Sequence, residues 1–60
     1  MTIKKLFEMF PDVKSIHWVD ACDWMAGGHF IRHFCARRQM NLRVRSWERR
    51  GGCIHCVLEP

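Results

Sequence analysis

Residues Asp20 to Asn41 read DACDWMAGGHFIRHFCARRQMN, and the fold turns on whether they form a helix. Asp20 and Asp23 suit a first helical turn, where short acidic side chains accept free backbone N–H groups and meet the positive end of the dipole. At about 100° per residue, Ala21, Trp24, Gly28, Ile31, Phe34 and Cys35 collect on one side. His29, His33, Arg37 and Met40 collect on the other. This stripe predicts one helical element, kinked at the glycines. Gly27 and Gly28 each cost a helix about 1 kcal/mol relative to alanine. The alternative therefore divides the stretch into a short turn at Ala21 to Ala26 and a helix from His29 to Met40. Asn41 tolerates the left-handed conformation and suits a helix stop.

Upstream, Thr2 can cap a helix running to about Phe10. Ile3, Leu6, Phe7 and Phe10 share a face, with Lys4, Lys5 and Glu8 outside. Pro11 ends it, because proline disfavours helix at the residue before it. Lys14 to Val19 alternates as a strand, with Ile16 and Trp18 pointing one way and Ser15, His17 and Val19 the other. His17 alone reads as a surface residue.

Downstream, Leu42 to Glu48 alternates as a half-buried strand. Arg50-Gly51-Gly52 is a turn signal, and Cys53 to Leu58 reads as the returning strand of a hairpin. A three-residue loop places Val44 opposite Leu58 and Ser46 opposite Cys56, on one apolar face with Leu42 and Ile54. The outer face is then Arg43, Arg45, Trp47, Arg49, Cys53, His55 and Val57. An even loop would put Ile54, Cys56 and Leu58 beside the arginines, so the odd loop is preferred.

The expected fold is α+β, a single domain over residues 1–60 in the order α-β-α-β-β. A parallel strand–helix–strand pair with a right-handed crossover is extended by the C-terminal hairpin. Two helices cover one face of the three-stranded sheet, and the open face carries arginine and Trp47.

Charge is concentrated. All seven arginines lie between Gly28 and Arg50 against Glu48 alone, a net +6 in a chain of net +4. Sixty residues with 48% hydrophobic content specify one small domain rather than a disordered chain. A domain this size buries only about 60% of its unfolded surface, so help from a partner, metal or second copy is expected. No secretory signal is visible, and nothing approaches the roughly 20 apolar residues of a membrane span. The expected compartment is the cytoplasm, with reduced cysteines.

The site reading is a non-catalytic basic binding surface built from Arg37, Arg38, Arg43, Arg45, Trp47, Arg49 and Arg50. Arginine grips phosphate bidentately and stacks on bases, and Trp47 would offer a stacking platform. Nucleic acid is the first partner expected. The alternative is an acidic protein surface, which the same face would dock on and inhibit. No GxxG loop, aromatic RNP run or complete two-Cys two-His finger is present. No resident cofactor is expected. The second alternative is a zinc-stabilised mini-domain, with Cys22, Cys53, Cys56 and His55 as candidate ligands. Against it, Cys53 and Cys56 on a regular strand point to opposite faces. His29 and His33, four apart on a helix, would form another metal pair, but beside arginines they read as surface groups. No paired acids, phosphate loop or oriented Cys–His pair supports catalysis, and a redox CxxC belongs at a helix start. The short first helix gives little support to a membrane-surface role.

Overall fold

The computed structural model describes residues 1–23 and 25–60. Trp24, assigned above to the helical stripe, lies outside the described residues. Helix α1 spans Ile3–Met9 and strand β1 spans Ser15–Asp20. Strand β2 follows at Gly27–Ile31, then a single 3-10 turn at Arg32–Phe34 and a single α-turn, α2, at Arg37–Met40. Strands β3 at Val44–Arg50 and β4 at Cys53–Leu58 complete the chain. The strands form one mixed sheet in the order β2-β1-β4-β3.

Helix α1 forms where its pattern places it. Thr2 is extended and its hydroxyl accepts the Lys5 N–H at 3.2 Å, which satisfies one of the first-turn donors. The helix buries Ile3, Leu6 and Phe7 against Ile16, Phe30, Val44, Ile54, Cys56 and Leu58 of the sheet. Its start is tied to the chain entering β3. Ile3 N–H donates to Leu42 O at 3.1 Å, and Val44 N–H to Met1 O at 2.9 Å.

The expected central helix is replaced by a strand and two single turns. Gly27–Ile31 pairs antiparallel with β1, Phe30 facing Ile16 and Gly28 facing Trp18. The three-stranded sheet under two helices is therefore a four-stranded mixed sheet under one helix. The aspartates act locally. Asp20 Oδ1 accepts from Cys22 N at 2.7 Å, and Asp23 Oδ1 from Met25 N at 3.1 Å. These are Asx turns, made by the same side-chain chemistry that caps helices. Gly28 has a packing role instead of a helical one. A Cβ there would lie 3.2 Å from the Trp18 indole nitrogen, so the bare backbone leaves room for a ring that also stacks on Phe30 at 5.6 Å.

The parallel neighbour of β1 is β4, not the arginine-bearing strand. Ile54, Cys56 and Leu58 are buried along β4, so burial favours the centre for it. Strand β3 lies at the edge, where charged side chains discourage pairing with other chains. The hairpin loop is two residues, Gly51-Gly52, because Arg50 pairs with Cys53. Val44 still faces Leu58, as expected, because the register shifts between Val44 and Ser46. Arg45 is the inserted bulge residue, and it restores the parity that an odd loop would have supplied. Below the bulge, Ser46 faces Val57 and Trp47 faces Cys56.

This loop makes a test at two adjacent glycines. Gly51 has φ +61°, while a Cβ on Gly52 meets nothing within 4 Å and its φ is not positive. Gly51→Ala is expected to cost about 1–2 kcal/mol, and Gly52→Ala to stay within about 0.5 kcal/mol of the parent. Urea midpoints of the two variants check it. A three-residue loop with its left-handed glycine at position 52 would reverse the order.

Candidate functional site

The arginines divide by what holds them. Arg32 is part of the scaffold: its guanidinium donates to the carbonyls of Phe7, Phe10 and Val13. Arg49 donates to Gly51 O at 2.9 Å, pairs with Asp12 and lies 5.3 Å over the Phe10 ring. The Asp12 carboxyl is held below the usual carboxylate range, chiefly by the hydrogen bond from Arg49. Arg50 pairs with Glu48 two residues away on the same strand.

Four arginines remain. Among the described residues Arg37, Arg38, Arg43 and Arg45 have no ion-pair or side-chain hydrogen-bond partner, and all four are exposed. Arg37 and Arg43 lie near the N-terminal end of α1, with Arg38 and Arg45 close to them along the chain. Turn α2 packs on α1, and Lys4, Arg37, Cys35, Met40 and Asn41 line a shallow depression between them. Arg43 sits opposite Thr2 in an isolated bridge, and Arg45 is the bulge residue just beyond Val44. Glu59 N–H donates to Arg43 O at 3.0 Å.

Trp47 does not stand on the open face. Its register with Cys56 turns it to the helix side, half-buried against the core, where it meets Phe10 edge to face at 5.3 Å. The bulge at Arg45 is the cause, since one inserted residue reverses the face of every position beyond it. Arg49, two residues on, turns inward for the same reason. The exposed aromatic is Phe34, 84% exposed, three residues before Arg37. Sequence reading missed it as a surface group because the helical stripe placed it inside.

The open face, expected to be arginine-rich, carries His17, Val19, His29, Ile31, His55 and Val57, with Ser46, Glu48 and Arg50 along β3. Reading Gly27–Ile31 as a strand would have brought His29 into line with His17 and His55.

The cysteines are all free thiols. Cys22 is exposed in the β1–β2 loop. Cys53 lies on the open face, where Ser15 Oγ donates to its sulfur at 3.6 Å. Cys56 is buried on the helix side, and burial pushes its thiol up to about 11. Burial also raises Cys35. Cys53 and Cys56 thus project from opposite faces of β4 and do not form half of one zinc site. Among the described residues, no three His, Cys, Asp or Glu side chains stand around a common point as a ready-made metal centre. No helix among them is long and apolar enough to cross a membrane.

No protein-family model, no curated protein and no solved structure matches the chain.

Proposed function

We propose that this protein is a non-catalytic nucleic-acid-binding module whose contact surface is the basic end formed by Arg37, Arg38, Arg43 and Arg45, with Lys4 beside them. The observation that carries the reading is that these four guanidinium groups are exposed and unpaired among the described residues. A guanidinium with no internal partner is free to form bidentate bonds with phosphate. Phe34 takes the stacking role first assigned to Trp47, since it is an exposed ring three residues before Arg37 and exposed aromatic rings suit unpaired bases. Arg49 and Arg50 are ion-paired and Trp47 packs on the core, so none of the three is assigned to grip the ligand.

Four phosphate contacts to a single strand predict a slope of about −2.8 for log affinity against log salt. Titrating the protein into a labelled short oligouridylate and oligothymidylate measures it. The double variant Arg37→Ala, Arg38→Ala is expected to flatten the slope by about 1.4. Arg50→Ala should leave it unchanged. No binding at low salt, or an equal effect of Arg50→Ala, would exclude this surface.

A second reading, an acidic protein as the partner, draws support from the apolar groups exposed along the chain around β2. Met25 is 75% and Ile31 42% exposed. A complex that survives nuclease treatment would favour this reading.

A further inference from the structure

Three histidines and a glutamate form one row across the open face of the sheet. His29 of β2 pairs with His17 of β1, His17 with His55 of β4, and His55 with Glu48 of β3. The His17 and His29 rings stack with centroids 4.5 Å apart, and His17 meets His55 edge to face at 5.0 Å. Directly opposed residues on neighbouring strands hold their Cβ atoms only about 5 Å apart. The backbone register therefore brings three imidazoles and a carboxylate together from four different strands. An open depression of about 380 Å³ lies over His17, His55, Glu48 and Ser46, walled by Val19 and Val57.

The chemistry of this donor set is specific. Imidazole is the preferred ligand of zinc, copper and nickel, and a carboxylate completes a common fourth position. Ligation needs the neutral ring. His17 is held below the usual imidazole range, first by burial and then by the neighbouring His29 and His55. The charged groups facing the row are Glu48 and its partner Arg50. Sequence reading placed His17 on a strand and His29 on a helix, so this row did not emerge from it.

We propose that His17, His29 and His55, with Glu48 alongside, bind a divalent transition-metal ion on the open face of the sheet. The rings as they stand are stacked rather than converged, so binding proceeds by rotation about their side-chain bonds. His29 is exposed and His17 and His55 are half-buried. Rotamer changes of exposed rings take picoseconds to nanoseconds, and the strands need not move. The bound ion joins β2, β1 and β4, and so stabilises the sheet by mass action. This site is separate from the basic end and stands or falls independently of it.

Zinc titration of the full, reduced chain, followed through the imidazole nitrogen signals, tests the proposal. At about pH 7.5 one equivalent is expected to shift His17, His29 and His55 together while His33 stays in place. His29→Gln, on an exposed edge position where folding is not at stake, should weaken zinc binding at least about 10-fold, the lower end of the loss seen when even a supporting group is removed. His33→Gln should leave it unchanged. Shifts confined to cysteine or His33 signals, no shifts at all, or unaltered affinity in His29→Gln would overturn the assignment.

Discussion

Arg32→Ala is expected to lower the unfolding free energy by about 3 kcal/mol, the value of one to two hydrogen bonds to a charged group. Arg32 Nε and Nη2 donate to Val13 O at 2.8 and 2.6 Å, Nη2 also to Phe10 O at 2.7 Å, and Nη1 to Phe7 O at 3.1 Å. The guanidinium lies 4.5 Å over the Phe7 ring. These carbonyls belong to the end of α1 and the chain leading into β1. Helix C-termini leave carbonyls without intrahelical partners, and a cation there also complements the dipole. Arg32 thus joins the end of β2 to α1. A domain of this length has only about 3–9 kcal/mol to lose, so the substitution should remove a third or more of its stability. Arg32→Lys should recover little, because an ammonium cannot spread donors over three carbonyls from one plane. Urea unfolding followed by tryptophan fluorescence measures both. A loss under about 1 kcal/mol would mean that water replaces the clamp without cost.

Ile54→Ala is expected to cost about 3–4 kcal/mol, within the range for an Ile-to-Ala cavity in a core that cannot collapse. Ile54 is fully buried. It faces Ile16 on one side and Arg49 on the other, in a strand with neighbours on both edges. Val57→Ala lies three residues along on the open face and should cost about 1 kcal/mol or less. Similar losses at the two positions would contradict the assignment of faces. Amide exchange gives a second readout, with β4 and β1 protected longer than β2 and β3, because central strands open only with the whole domain.

Much of this architecture was legible. Thr2 capping α1, Ile16 and Trp18 sharing a face, and Cys53 to Leu58 as a strand all follow from local pattern, and the structure has them. The pairing of Val44 with Leu58 was also correct, but through the wrong loop. An odd loop and an even loop plus one bulged residue give the same parity at Val44. They differ only beyond the bulge, which is where Trp47 changed face. The stretch from Asp20 to Asn41 misled for a different reason. Asx turns and helix caps use the same aspartate chemistry. The alternation of Gly28 and Phe30 against His29 and Ile31 is a short strand signal inside a longer helical one. The candidate site was legible as charge and not as geometry. Arg37, Arg38, Arg43 and Arg45 remain unpaired among the described residues, while Arg32 and Arg49 found partners far along the chain, and Arg50 pairs with Glu48, its neighbour on one face of the strand.

By itself the chain determined a basic, aromatic-rich α+β domain, its first helix and its strands at β1, β3 and β4. Each of those depends on contacts between residues close in sequence. Tertiary structure decided that Gly27–Ile31 is a strand, that β4 rather than β3 takes the centre, which arginines remain free, and that three histidines share a row. Those outcomes depend on which apolar faces bury one another across the chain, and a side chain's local period carries no information about its distant neighbour.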